Sequence, residues 1–319
     1  MKASVRELAQ GVLKGDRRSV ARLMTAIENE DSEAKAALSE LYPHTGKARI
    51  VGVTGPPGSG KSTLIGQVAK RYRKSGKKIG IIAVDPSSPF SGGALLGDRI
   101  RMQELSTDEG VFVRSMATRG NLGGLARSTS ELANVLDAFG CDIIFVETVG
   151  AGQSEVDVMK LAHSVVLVTA PGLGDDIQAL KAGIMEIGDI IVVNKADRAN
   201  ADSAVLDIRN VLELSVEHRG WTPPIIRTIA ISDEGTNDLI EKLEEHQTFL
   251  RTGGLNRGRI KGENQLLEAV KERLADVVTA DLRRDPEYEG IVKMVVSRQL
   301  SPYDAAVTLV NKIIGKRQV

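Results

Sequence analysis

The sequence predicts an α/β fold of the doubly wound class, built on a mostly parallel sheet. Two observations predict it: short apolar runs alternate with segments of helical periodicity, and most of these runs are continuous Val, Ile and Leu. Strands of a parallel sheet are covered by helices on both faces, which removes the usual alternation of apolar and polar residues. Ligands of this fold bind at the carboxyl ends of the strands, so functional residues are expected there.

The order of elements divides the chain into three parts. Residues 1–45 carry apolar residues at helical spacing and predict a helical N-terminal extension packed on the main domain. Residues 46–252 hold the predicted sheet, and residues 253–319 hold a linker and a helical arm. The predicted strands are 50–54, 78–84, 111–115, 142–147, 164–169, 189–194 and 225–231. The predicted helices of the central part are 61–74, 97–105, 123–138, 153–162, 176–187, 200–217 and 236–251.

The C-terminal part begins with a basic, glycine-rich linker at residues 251–262. Two helices are expected after it, and the second begins with Ser301 as N-cap and Pro302 in the first turn. The apolar stripes of the two helices are Leu266, Leu267, Val270, Leu274, Val277 and Val278, then Ala306, Leu309, Val310 and Ile313. These stripes carry more apolar surface than a free tail exposes, so the arm either folds back or pairs with a second subunit.

Composition restricts where the protein works. The 319 residues include 42 Lys and Arg and 42 Asp and Glu, so the formal net charge is zero, which argues against bulk binding to nucleic acid or to a membrane surface. No apolar run has the length of a membrane-spanning helix, and the N-terminus lacks the apolar core of a signal peptide. Cys141 is the single cysteine, which excludes a disulfide framework. We expect a cytoplasmic protein with no nucleic-acid partner and no membrane partner.

A glycine-rich turn between the first strand and its helix is the strongest local motif. It fits the pattern G-x-x-x-x-G-K-[ST], the P-loop that binds nucleotide phosphates. Gly58 and Gly60 let backbone N–H groups close around a phosphate. Lys61 places a positive charge on the β- and γ-phosphate oxygens, and the Ser62 hydroxyl is a ligand for Mg²⁺. The predicted nucleotide-binding residues of this turn are Gly55, Pro56, Pro57, Gly58, Ser59, Gly60, Lys61, Ser62 and Thr63.

A second motif is expected to read the base of the nucleotide. Asn194, Lys195 and Asp197 form the N-K-x-D signature of GTPases at the end of a predicted strand. A buried Asp197 carboxylate would accept hydrogen bonds from the guanine N1–H and exocyclic amine, whereas adenine would leave it unpaired. Lys195 would lie along the plane of the base. A backbone N–H would reach the guanine oxygen from the third base-binding element, which is Ile229, Ala230 and Ile231.

Residues that follow two further strands complete the predicted catalytic site. Glu147 ends an apolar strand, in the place of an acid that holds Mg²⁺ directly or through water, and Gly150 offers a backbone N–H to the γ-phosphate. Asp85 either positions the attacking water or only begins a turn before Pro86. Asp98 either contacts Mg²⁺ or caps a helix. The predicted metal ligands are therefore Ser62, Asp98 and Glu147, and the predicted catalytic residues are Lys61, Asp85, Glu147 and Gly150.

Other residues near the phosphate site have less defined roles. Residues 171–176 form either a mobile switch or a plain strand–helix loop, with Asp176 and Lys181 as candidate coupling residues. Three arginines, which would contact phosphate, a partner or only solvent, are Arg114, Arg119 and Arg127. No glutamine–arginine pair can be assigned as a complete catalytic set, so weak turnover without a partner is expected.

Seven motifs follow one another through the central part. They are GPPGSGKST at 55–63, VDPSS at 84–88, GGALLGDRIRM at 92–102, TRGNLGG at 118–124, ETVGAGQSE at 147–155, PGLGDDIQALKAG at 171–183 and NKAD at 194–197. In these motifs the chain resembles the MeaB/ArgK family of P-loop GTPases. The helical ends are similar as well, so the resemblance covers essentially the whole chain.

The resemblance implies a chaperone GTPase for an adenosylcobalamin-dependent acyl-CoA mutase, commonly methylmalonyl-CoA mutase. Such proteins gate cofactor delivery, protect the mutase from inactivation and form homodimers through the C-terminal arm. Two alternatives stay open: a nickel-insertion GTPase of hydrogenase or urease maturation, and a stand-alone GTP-binding switch. One cysteine and four scattered histidines count against the first alternative.

Overall fold

The computed structural model describes residues 5–31, 33–85, 105, 107–117, 122–148, 161–172, 188–214, 220–253 and 257–317. The chain forms two compact units, Met1–Leu255 and Asn256–Val319. The first unit holds the sheet and the N-terminal helices, and the described residues of the second unit are mainly helical. The predicted domain boundaries at residues 45 and 252 stay a prediction.

Three helices precede the sheet in the described part of the chain, in agreement with the apolar spacing. They are α1 (Val5–Leu13), α2 (Arg17–Glu28) and α3 (Ala34–Leu41), followed by a 3₁₀ turn at Tyr42–His44. The carboxylate of Asp16 accepts the N–H groups of Arg18 and Ser19 at 3.1 and 3.0 Å and thereby caps α2. Apolar residues of all three helices share one buried cluster with strand residues, so the extension packs on the sheet.

Within the described residues, seven strands form one sheet. They are β1 (Arg49–Thr54), β2 (Ile79–Asp85), β3 (Val111–Ala117), β4 (Ile143–Thr148), β5 (Ser164–Thr169), β6 (Ile190–Asn194) and β7 (Ile225–Thr228). Their order is β3-β2-β4-β1-β5-β6-β7, and each neighbouring pair is parallel. From β1 the chain leads to β2 on one side of the sheet, and from β4 it leads to β5 on the other side. This reversal of direction between the neighbouring strands β1 and β4 opens a crevice at their carboxyl ends. The predicted doubly wound parallel class is confirmed.

Helices cover both faces of this sheet. The helix α4 (Lys61–Lys74) packs with α7 (Thr236–Arg251) on one face, while α5 (Leu122–Ala138) packs with the N-terminal helices on the other. A further helix, α6 (Ala201–Leu214), packs against β5 and β6. Side chains of β1 alternate between the two faces and are buried on both, which explains why apolar residues run on without polar alternation.

The predicted strand at 225–231 is wrong at its carboxyl end. β7 ends at Thr228, and the chain then turns back, because Ile229 pairs with Glu234 in an isolated antiparallel bridge. The other strands, and the helices predicted at 61–74, 123–138 and 236–251, begin and end at or close to the predicted positions. The helix predicted at 200–217 ends at Leu214 within the described residues. The helices predicted at 97–105, 153–162 and 176–187 lie wholly or almost wholly outside the described residues.

The second unit contains three described helices where the sequence predicts two. They are α8 (Arg257–Arg284), α9 (Tyr288–Val296) and α10 (Pro302–Arg317). Because α8 begins at Arg257, the predicted linker at 251–262 is wrong in its second half. Ser301 caps α10 as predicted, accepting the Asp304 N–H at 3.1 Å. Within the described residues, no helix combines the length and the apolar character needed to span a membrane.

The stripe predicted for α10 also needs a correction. Ala305 and Leu309 are the buried residues of this helix in the described part of the unit, whereas Ala306 is exposed. Residues four apart lie on the same side of a helix, so Ala305 and Leu309 form the face that packs within the unit.

Candidate functional site

Backbone conformation sets the shape of the P-loop between β1 and α4. Gly55, Gly58 and Gly60 have φ angles of +137°, +78° and +94°, a region that favours glycine. A Cβ on Gly55 would collide with the Val168 carbonyl of β5, and a Cβ on Gly60 would collide with the Asn194 side chain. Two of the motif glycines are therefore required by close neighbours as well as by their backbone angles.

Lys61 is the first residue of α4, and its side chain is buried. Its ammonium group donates hydrogen bonds to the carbonyls of Gly55 and Pro56 at 2.7 and 3.0 Å. The positive charge is thereby held inside the loop at the amino-terminal end of a helix, where the helix dipole also favours an anion.

Ser62 and Glu147 bring two oxygen donors together beside the P-loop. The Ser62 hydroxyl donates to the Glu147 carboxylate at 2.6 Å, and Glu147 is only 6% exposed although it stands near the end of β4. Glu147 is therefore not an ordinary solvent-exposed charge at a strand end. A hydroxyl and a carboxylate are hard oxygen ligands of the kind that Mg²⁺ prefers, so this donor set fits the predicted metal.

Asn194 connects the P-loop to the predicted base-binding elements. Its amide Nδ2 donates to the Ser59 carbonyl at 2.8 Å, and its Oδ1 accepts the Thr228 hydroxyl and the Ala230 N–H, both at 3.0 Å. Asn194 is buried, so these hydrogen bonds replace the hydration that its polar groups lose on burial. The two sequence motifs are joined by one side chain.

Lys195 makes a second connection, whereas Asp197 lies at the surface. The Lys195 ammonium donates to the Gly58 carbonyl at 2.6 Å. The Asp197 side chain is exposed, because it lies on the turn that follows β6, outside the sheet. Its contact with guanine stays a prediction.

The predicted third base-binding element is a turn whose first two N–H groups have acceptors within the protein. The Ile229 N–H donates to the Glu234 carbonyl at 3.1 Å, and the Ala230 N–H donates to Asn194. The Ile231 side chain is 84% exposed at this turn. The expected contact of this element with the guanine oxygen stays a prediction.

Comparison with known proteins gives the family. The family model described as "Methylmalonyl Co-A mutase-associated GTPase MeaB" matches residues 20–283. The chain belongs to the MeaB family of GTPases. This membership confirms both the family resemblance and the predicted enzyme class, a GTPase.

Individual MeaB-family relatives agree with this membership. GTPase ArgK of Escherichia coli K12 is 32% identical over 311 residues, which are 94% of each chain. A Pyrococcus horikoshii protein is 52% identical over 314 residues, covering 97% of this chain and 98% of the relative. The mouse mitochondrial methylmalonic aciduria type A homolog is 35% identical over 274 residues, covering 78% of this chain and 65% of the relative.

A solved structure supports the fold of this MeaB-family chain along nearly its full length. The crystal structure of a LAO/AO transport system kinase superposes on this chain with a TM-score of 0.70 at 26% identity. The superposition covers 98% of each chain.

Two of the three candidate arginines have partners within the protein. Arg114 forms a bidentate ion pair with Glu28 of α2, with N–O distances of 2.8 and 2.6 Å. Arg127 donates to Glu131 one turn further along α5 at 2.8 Å. Arg114 therefore fastens the N-terminal extension to β3.

Several predicted site residues cannot be placed by the structure. The backbone of Asp85 ends β2 beside Ala117 of β3, but its side chain lies outside the described residues. The other predicted residues outside the described part of the chain are Asp98, Arg119, Gly150, Asp176 and Lys181.

One residue of the site is missing from the sequence-based prediction. Thr228 ends β7, is buried, and donates its hydroxyl to Asn194 at 3.0 Å. The available signal was a hydroxyl residue at the end of the strand, directly before the predicted base-binding element. Extending β7 to residue 231 hid this signal, because Thr228 then fell inside a strand.

Proposed function

We propose that this MeaB-family protein hydrolyses GTP with Mg²⁺ and serves an adenosylcobalamin-dependent acyl-CoA mutase. In this proposal the nucleotide state gates cofactor loading and protects the mutase, which is most simply methylmalonyl-CoA mutase. The nucleotide part is carried by the contacts of Asn194, which join a P-loop to an N-K-x-D motif. The mutase part is supported by the family description, which names an association with methylmalonyl-CoA mutase. Cytoplasmic location without a nucleic-acid or membrane partner belongs to the same proposal.

The residues around the P-loop suggest how the phosphates are handled. Lys61 and the N–H groups of the loop neutralise the β- and γ-phosphates, and Ser62 and Glu147 are the described residues that would hold Mg²⁺. The metal would supply charge for the developing negative oxygens. Water attacks the γ-phosphorus, and the bond to the bridging oxygen of GDP breaks. We assign the water-positioning role to Asp85 and γ-phosphate sensing to Gly150, from their places in the sequence.

The proposal predicts that the mutase stimulates hydrolysis. No described arginine is assigned to the transition state, since Arg114 and Arg127 pair with Glu28 and Glu131. Supplying a transition-state charge or ordering the loops raises the rate of P-loop GTPases by about 10³ to 10⁵. We therefore expect slow turnover alone and a large increase with mutase present.

Single-turnover hydrolysis of GTP, with and without methylmalonyl-CoA mutase, measures this increase. A cobalamin-independent acyl-CoA enzyme of similar size is the matched control and should leave the rate unchanged. The mutase role would be contradicted if the mutase leaves the hydrolysis rate unchanged and if the protein binds the mutase equally well with GTP and with GDP. That result would favour a stand-alone switch.

We also propose that the Asn256–Val319 unit forms a homodimer. Four apolar side chains of α8 are strongly exposed in the single chain, namely Leu266, Leu267, Val270 and Leu274 at 66, 52, 45 and 58%. Covering such a surface with a second copy removes apolar area from water. This surface and the family resemblance support the proposal.

Truncation after residue 255 should therefore give a monomer that still binds GDP. The combined variant Leu266→Glu with Leu274→Glu should be monomeric too, while Thr279→Glu, at an exposed position on the other side of the same helix, should remain dimeric. Light scattering over a concentration series measures the mass. A native chain that is monomeric at high concentration would refute the dimer.

A further inference from the structure

The chain after β7 forms a tight turn, residues 229–235, which we call the β7 turn. It is closed by two backbone hydrogen bonds between Ile229 and Glu234, at 3.1 and 3.3 Å. Asp233 has a φ of +62° and Gly235 a φ of +71°. A Cβ on Gly235 would collide with the Arg227 carbonyl of β7. These contacts and backbone angles give the β7 turn a defined conformation.

Arg71 of α4 binds the β7 turn through the Asp233 side chain. The Arg71 guanidinium donates from Nε to Asp233 Oδ1 at 3.0 Å, and its Nη2 lies 2.7 Å from Asp233 Oδ2. The same Nη2 is 3.3 Å from the Asp233 carbonyl oxygen, and Nη1 donates to the Asn237 side chain at the start of α7. Because the guanidinium is planar and contacts several acceptors, it fixes both the orientation of the β7 turn and its distance from α4.

The Asp233 carboxylate is charged at neutral pH. Burial alone would raise the pKa of Asp233, but its hydrogen bond to Arg71 is among the interactions that outweigh burial, and the pKa lies below its ordinary value. Both side chains are about one-third exposed, at 28 and 32%. The pair is therefore expected to add little to overall stability, because solvent screens it.

Asn194 makes a second contact with the β7 turn, near the amino-terminal end of the turn. The Ala230 N–H donates to Asn194, whose amide donates to the Ser59 carbonyl of the P-loop. Arg71 follows Lys61 by ten residues of α4, which is about 15 Å of helix. The turn is thus attached to both ends of the helix that carries the phosphate-binding lysine.

We propose that Arg71 is a positioning residue for guanine recognition, acting through Asp233 to hold the β7 turn where Ala230 and Ile231 meet the base. This inference rests on the proposed guanine-nucleotide site. The physical reason is preorganisation: if the turn occupies its binding position only part of the time, the apparent dissociation constant rises in inverse proportion to that fraction. The other contact of the turn, through Asn194, remains, so the loss is partial.

The variants Arg71→Met and Asp233→Asn test the pair from both sides. The matched control is Arg73→Met, because Arg73 of the same helix forms a bidentate pair with Asp108 at 2.9 Å, with side-chain exposures of 25 and 34%. Asp108 precedes β3, away from the β7 turn in the sheet order. Thermal unfolding of all three variants checks that each is folded.

Dissociation constants for GDP, IDP and ADP distinguish a role at the base from a general loss of structure. IDP keeps the 6-oxo group and N1–H of guanine but lacks the amine that Asp197 is expected to bind. Arg71→Met and Asp233→Asn should raise the dissociation constants for GDP and IDP by the same factor, about three- to tenfold. Binding of ADP should not change, and Arg73→Met should bind all three like the native protein. Arg71→Lys should restore part of the loss, since it keeps the charge but not the bidentate geometry.

Two results would overturn the inference. One is native GDP affinity in both Arg71→Met and Asp233→Asn, and the other is an equal loss of GDP, IDP and ADP affinity, which would indicate damage to the phosphate site. Failure of the proposed function looks different. In that case the native protein itself would bind ADP as well as GDP, before any variant is compared.

Discussion

Replacing Lys61 by Ala should lower the rate of GTP hydrolysis by about 10² to 10³ or more, because it removes the fixed positive charge beside the β- and γ-phosphates. The ammonium is buried and held by two carbonyls of the loop, which fixes the position of its charge. Single-turnover hydrolysis at saturating GTP and Mg²⁺ measures the effect.

The same substitution leaves the Gly55 and Pro56 carbonyls without their donor, so nucleotide affinity should be measured beside the rate. Lys70→Ala, further along α4, is the matched control for loss of a lysine from this helix. A Lys61→Ala protein that hydrolyses GTP at the native rate would show that Lys61 has been assigned the wrong role.

Replacing Asp197 by Asn should weaken GDP binding by about 10²-fold, because the guanine N1–H and amine lose a charged acceptor. The new amide can donate to a carbonyl, so affinity for xanthosine diphosphate, which has an oxygen in place of the amine, should rise. Titration with GDP, xanthosine diphosphate and ADP measures the change in specificity.

Asp202→Asn serves as the control for this second substitution. Asp202 lies shortly after Asp197 and pairs with Arg227 at 2.7 Å, but the pair is exposed and expected to contribute little. Equal affinity of the native protein for GDP and ADP would remove the basis of the guanine assignment.

The sheet could be predicted from sequence because its strands are buried on both faces. β1, β4 and β5 are buried at every position, which gives unbroken apolar runs. β7 shows the limit of this signal. Ile229, Ala230 and Ile231 are apolar like the start of the strand, yet the chain turns at residue 229 and Ile231 is exposed. Apolar composition cannot predict this turn, because the hydrogen bonds that close it are made by backbone groups.

The start of α8 shows a second limit. Glycines at 253, 254, 258 and 262 predict a linker, since each costs a helix about 1 kcal/mol relative to alanine. The helix nevertheless begins at Arg257 and continues for 28 residues rich in good helix formers. Its length outweighs the cost of Gly258 and Gly262.

The site shows which kind of contact escapes sequence reasoning. The P-loop and the N-K-x-D motif are local patterns and can be read directly. The Arg71–Asp233 pair joins residues 162 positions apart, and the Arg114–Glu28 pair joins residues 86 apart. Neither pair has a local signature, because each depends on which helices the fold places side by side.

The bridge made by Asn194 gives the site the character of a chelate. The proposed phosphate-binding and base-binding elements share one buried amide, so in the proposed site they would hold the two ends of a nucleotide at a fixed distance from each other. Once one end is bound, the other meets its binding group at a high effective concentration. Release of product from the proposed site would then require both ends to detach within the same short interval, and we expect a long residence time for GDP. A partner that disturbs the contacts of this single amide would shorten that residence time from either side of the site.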